Sequence, residues 1–242
     1  MSINLPEESQ VDVKAKMENY HDTLNSVFEL FKEQKVGRAW NRYESFSYNF
    51  KGNFDAFKEQ ISVYDTLRRD NKCINRSTLE GTYDLDANFP LQIVNNVFCD
   101  EFLRFLQNYY SDTISKNVWQ LGDRQSKRYK AHDEPMSRFV HYELLPLIEK
   151  IVGKSLKPTY SYLSAYVKGA DLPPHTDRPD CEYTVSLLVD KPKSSHWNIY
   201  LHKKRQDKKY KGRYDAKPPL DECESVDCEA GGLMLFQGID RI

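Results

Sequence analysis

Apolar side chains along the first half of the chain recur at spacings of three and four. From about Val11 to Gln34, Val13, Met17, Tyr20, Leu24, Val27, Phe28 and Phe31 describe one face of an amphipathic helix. Phe54 to Arg69 repeats the pattern through Phe57, Ile61, Tyr64 and Leu67, with Asn53 placed to cap its start. The aromatic and polar stretch between them, RAWNRYESFSYNFKGN, reads as packing between helices. These segments are expected to form a helical N-terminal extension over residues 1–84, and a homodimer through its helices is a candidate assembly.

From about Phe89 the periodicity changes. PLQIVNNVF reads as a strand running into a turn, CDEFLRFLQNYYSDTI as a helix, and SKRYKAHD as a polar strand suited to an edge. A second strong helix is expected from Glu134, with Phe139, Leu144, Leu145, Ile148 and Ile151 inward and with Pro146 kinking it or splitting it in two. After Gly153 the pattern alternates at short intervals, giving strands in PTYSYLSAYVKG, EYTVSLLVD, HWNIYLHKK and GGLMLFQG. Helices followed by closely spaced strands predict an α+β protein whose second part, 85–242, is a β-sandwich or jelly roll.

Composition narrows this picture only a little. At 242 residues the chain can bury a sizeable core, and 16 Tyr, 12 Phe and 3 Trp supply large apolar areas for it. With 35 basic and 36 acidic residues there is no global pull toward nucleic acid or an anionic membrane. The odd, scattered set Cys73, Cys99, Cys181, Cys223 and Cys228, with no apolar leader in MSINLPEESQ, predicts a reduced, cytoplasmic protein. The four-residue gap in CESVDC is looser than a zinc knuckle. No apolar run approaches the roughly 18 residues a bilayer span requires.

Candidate chemistry concentrates in LPPHTDRPDCEYTVSLLVD, Leu172 to Asp190. His175 and Asp177 lie at the exit of a loop, one residue apart, so both side chains can point to the same side of an extended backbone. An imidazole nitrogen and a carboxylate oxygen so placed suit two adjacent ligands of a metal ion, and a polar turn is the competing reading. His196 and His202 both have parity opposite to Trp197, Ile199 and Leu201, so alternation turns them away from the core. The basic run HKKRQDKKYKGR and the acidic DAKPPLDECESVDCEAGG read as the two halves of one long loop.

Tyr166, Gly169, Leu172, His175 and Asp177, followed by an alternating strand, Trp197 and AGGLMLFQG, together resemble the 2-oxoglutarate- and iron(II)-dependent dioxygenases. The prolyl-hydroxylase-like branch is the most similar, and the likeness spans roughly 89–242. The resemblance implies a double-stranded β-helix core and hydroxylation of an unactivated C–H bond in a peptidyl or small-molecule substrate. Fe(II), 2-oxoglutarate and O2 would be consumed or held, with release of succinate and CO2. It implies His175 and Asp177 as iron ligands, Tyr166, Tyr160 or Tyr162 facing the 2-oxoglutarate, and Arg178 available to a substrate carboxylate. The third ligand of that family, a distal His, and the basic residue that clamps the co-substrate should follow the LMLFQG strand. Since the chain reads IDRI there, the expectation is that the natural protein continues past Ile242 and that the jelly roll here lacks its last strands. A binding module that keeps part of the metal site without catalysis is the alternative.

Overall fold

The computed structural model describes residues 54–115, 120–122, 126–132, 134–205, 214 and 216–239. The expected helix at 11–34, the aromatic stretch after it, the cap at Asn53 and most of the basic run lie outside the described residues. The chain divides into two compact units, Met1–Asp65 and Thr66–Ile242. In the first, the start of helix α1 (Phe54–Arg69) buries Ile61 and Tyr64, two of the apolar positions its periodicity predicts.

The second unit is α+β with antiparallel strands in small sheets. After a one-turn helix α2 (Arg76–Glu80) come strand β1 (Leu91–Val94) and helix α3 (Asp100–Ser115). Short strand β2 (Gln120–Leu121) and strand β3 (Arg128–His132) precede helix α4 (Pro135–Val152). Strands β4 (Tyr162–Tyr166), β5 (Thr184–Leu187), β6 (Ile199–His202), β7 (Cys223–Val226) and β8 (Leu233–Phe236) follow. They assemble as three sheets in the orders β1-β8-β5, β2-β3-β4 and β6-β7, all antiparallel.

The two helices form for reasons visible in their residues. Helix α3 buries Phe102, Phe105, Leu106 and Tyr110 on one stripe, and Phe98 meets Phe102 edge-on at 5.1 Å. Helix α4 starts with Pro135 behind Glu134, whose carboxylate accepts the Ser137 N–H at 2.8 Å, and it ends on Gly153 at φ 75°, a left-handed conformation that suits glycine. Of the two outcomes expected at Pro146, a split does not occur: the helix is one element across it, with Pro146 on an exposed position. Leu147, fully buried, takes the inward place expected of Leu145, which is only half-buried.

Four further expectations are corrected. Strand β3 is the middle strand of its sheet, because β2 pairs with its other edge. The acidic stretch expected to be loop contains β7, which pairs with β6 in the register Ile199↔Val226 to His202↔Cys223. His202 is buried, because the neighbouring 3-10 turn Leu220–Glu222 brings Glu222 against it with Oε2 3.2 Å from Nε2. Trp197 precedes β6 and does not share its alternation; it is 42% exposed. The core behind the site joins two sheets: Leu201 of β6 and Val226 of β7 cluster with Cys228 and with Met234 of β8, and Leu91 and Phe236 pack against them.

Candidate metal centre

The site is built where β5 and β8 end their pairing. Thr184 opens β5 opposite Phe236, the last residue of β8. Two residues past β8, the Gly238 carbonyl accepts the Asp177 N–H at 2.7 Å, so the loop carrying the His-x-Asp pair is stitched to the chain leaving β8. The segment just before strand β4, which leads into this loop, is tied to the start of α4. Ser137 Oγ and Ser161 Oγ lie 2.7 Å apart, and Arg138 Nη1 donates to the Thr159 carbonyl at 3.0 Å.

His175 and Asp177 do face each other, with Nε2 3.7 Å from Oδ1 and both side chains about a quarter exposed, at 29% and 23%. Their outer atoms are engaged. His175 Nδ1 lies 2.9 Å from the Pro173 carbonyl, and a carbonyl only accepts, so Nδ1 carries the hydrogen and Nε2 of the neutral ring keeps a lone pair. Asp177 Oδ2 accepts the Thr184 hydroxyl at 2.6 Å, which leaves Oδ1 toward the imidazole. The separation of Nε2 and Oδ1 is too long for a hydrogen bond. It is within a few tenths of an ångström of the roughly 3.0–3.4 Å between adjacent ligands that each hold one ion at about 2.1 Å.

This donor set fits a ferrous ion or a similar divalent metal: a neutral imidazole and a carboxylate, each oriented by an outer hydrogen bond. Among the described residues no third His, Cys, Asp or Glu joins them. His196 is spoken for elsewhere, its Nδ1 lying 2.8 Å from Asp227 Oδ2, while Lys191 donates to the other carboxylate oxygen at 2.8 Å. Those two partners hold the Asp227 carboxyl down to about 2.

The tyrosines separate into two places. Tyr160 belongs with the ligand loop: its phenol oxygen accepts the Cys181 thiol at 3.1 Å, and the exposed Arg178 guanidinium lies 5.5 Å from its ring centre. Burial pushes both the Tyr160 phenol and the Cys181 thiol up, so each stays a protonated donor at neutral pH. Tyr162 and Tyr166 instead gather round Arg128 of β3, whose guanidinium lies 4.9 Å and 5.5 Å from their ring centres. Stacking links the two places, since His132 lies parallel to Tyr160 at 5.0 Å and edge-on to Tyr162 at 5.9 Å.

Two residues that shape the site were not singled out by pattern. Thr184 is the first residue of an alternating strand, and nothing in its local sequence distinguishes it from other strand threonines. Gly238 is buried, and a Cβ built there would lie 2.0 Å from Asp177 Oδ2 and 2.6 Å from Thr184 Oγ1. The available signal was the glycine that closes LMLFQG, a residue whose value here is close backbone approach.

Comparisons with protein-family models, curated proteins and solved structures return no match for this chain.

Proposed function

We propose that the protein is a 2-oxoglutarate- and Fe(II)-dependent dioxygenase that hydroxylates a C–H bond in a peptidyl or small-molecule substrate. One observation carries the proposal: two lone-pair atoms, His175 Nε2 and Asp177 Oδ1, face each other at 3.7 Å while their outer atoms are held by Pro173 and Thr184. With the imidazole neutral both atoms are acceptors, and a cation shared between them, a metal ion or a proton, stabilises both. The chemistry such an ion brings is reaction of 2-oxoglutarate with O2, giving succinate, CO2 and one oxygen atom transferred into the substrate C–H bond as hydroxyl.

The chain's own residues bind and orient. His175 and Asp177 hold the metal, Asp177 also reducing the net charge of the site. The Pro173 carbonyl fixes the imidazole tautomer, and the Thr184 hydroxyl fixes the carboxylate rotamer. Tyr160, protonated and beside the ligand loop, offers a phenol near the co-substrate, and Arg178 at the exposed rim offers a guanidinium to a substrate carboxylate. The third metal position falls to a residue outside the described set or to water.

The test is succinate formation from 2-oxoglutarate under ferrous, aerobic conditions. Activity that disappears in both His175→Ala and Asp177→Ala, with circular dichroism unchanged, supports the proposal. Wild-type succinate production in either variant contradicts it. The absence of a third ligand among the described residues favours one other reading, a binding module with a partial metal site. That module would bind metal at His175 and Asp177 and form no succinate.

A further inference from the structure

The segment after helix α1 and the segment before helix α3 lie side by side. Ile74 and Phe98 form an isolated antiparallel bridge. It is flanked by hydrogen bonds from the Asn75 N–H to the Val97 carbonyl at 2.9 Å and from the Cys99 N–H to the Cys73 carbonyl at 3.1 Å. Asn75 Nδ2 fastens the same two segments again, donating to the Asn96 and Phe98 carbonyls at 2.6 Å and 2.7 Å. This register sets Cys73 directly opposite Cys99. Cys73 is buried, at 4% exposed, and Cys99 is half-buried.

Opposed residues of an antiparallel pair send their side chains to the same side of the ribbon. At the hydrogen-bonded position their Cα atoms stand about 5.5 Å apart, inside the roughly 4.4–6.8 Å that a disulfide spans. Two free thiols are thus brought together on backbone that already has a bridging separation. We propose that Cys73 and Cys99 are a reversible redox pair, which a small disulfide oxidant closes to an intrachain bridge. The Cys99 sulfur, the more accessible of the two, attacks the oxidant, breaks its S–S bond and releases one thiol. The Cys73 sulfur then attacks the mixed disulfide and releases the second. Two protein thiols are oxidised, one small disulfide is reduced to two thiols, and the two protein thiol protons pass to the departing sulfurs. Proximity, not acidity, drives the closure. Burial, then Glu143 and then Cys99 push the Cys73 thiol up, and burial followed by Glu101 and Asp100 does the same at Cys99. Both are therefore protonated at neutral pH and the first step is slow. The second is intramolecular and is favoured by the high effective concentration of a facing sulfur. The segment enclosed by the bridge carries β1, whose pairing with β8 belongs to the sheet that borders the His-x-Asp loop. The redox pair does not rest on metal at His175 and Asp177.

The test exposes the folded, reduced protein to oxidised glutathione and reads intact mass and non-reducing peptide maps. The expected product has lost two hydrogen atoms, joins the Cys73 and Cys99 peptides and reverts with dithiothreitol. It should also unfold at a higher urea concentration than the reduced protein, because the bridge constrains the unfolded chain. Cys73→Ser should stop at a glutathione adduct on Cys99. Cys99→Ser should leave Cys73 reduced and show no response of its urea midpoint to the oxidant. The wild-type product alone decides the matter if either variant fails to fold. Four results overturn the pair: a Cys99 adduct without a bridge in folded wild type, a bridge that forms only once urea has unfolded the chain, earlier closure between other cysteines, or a bridged protein with a lowered midpoint.

Discussion

Asp177 is held on three sides, and each contact has a separate consequence. Its N–H is fixed by Gly238, its Oδ2 by Thr184, and its Oδ1 is left to face His175. Gly238→Ala would put a methyl group 2.0 Å from Oδ2, closer than real atoms approach, so the carboxylate or the backbone must move. Overpacking of this kind costs about 1–3 kcal/mol. The expected result is a lowered thermal midpoint together with weakened metal affinity. Thr184→Val keeps the shape and removes the hydroxyl; metal affinity should fall about 10–100-fold with little change in stability, as for other outer hydrogen bonds to a ligand. Metal titrations of the two variants beside their unfolding curves distinguish steric from orienting effects. The His and Asp were legible from sequence because spacing alone puts them on one side of the backbone. Thr184 was not, since nothing in its local sequence marks it among strand threonines, and Gly238 was not, since it meets Asp177 only through the β5–β8 pairing, which joins residues about fifty positions apart.

Elements with a dense internal pattern were the readable ones. Helices α1, α3 and α4 follow from three-and-four spacing, and β5 and β8 from apolar runs bounded by turns. Strand β7 escaped because only Cys223 and Val226 of its four residues are buried, three apart, so it shows no alternation amid acidic neighbours. The burial of His202 escaped for a related reason: alternation assumes one covered face, and the Leu220–Glu222 turn covers part of the other. Helix α4 carries a prediction of its own. Glu134 caps it and also accepts the Tyr109 hydroxyl, yet burial lifts its carboxyl above the ordinary 4.5. The native state therefore binds this proton more tightly than the unfolded chain does. Its contribution to stability is fully present below about pH 4.5 and is lost as pH rises through the higher native value. Urea midpoints of the wild type should show that downward slope in the weakly acidic range, and Glu134→Gln should flatten it. An unchanged slope in the variant would mean the cap is ionised throughout.

Within the Thr66–Ile242 unit, two of the strand groups share one apolar core. The β1-β8-β5 sheet and the β6-β7 ribbon pack through Met234, Leu201 and Val226, and the end of the β5–β8 pair carries the facing His and Asp. Antiparallel sheets with an apolar interior and a polar pair at one rim would serve an enzyme or a binding module equally well, so function rests on the pair and not on the sheets. No described helix is long and apolar enough to cross a membrane. We propose that His175 Nε2 and Asp177 Oδ1 share one divalent ion. Anaerobic ferrous titration followed by calorimetry, with the His175→Ala and Asp177→Ala proteins run beside the wild type, tests it most directly. One ion per chain in the wild type, with affinity lost in each variant, is the predicted result. Ferrous binding that is equally tight in either variant would contradict it.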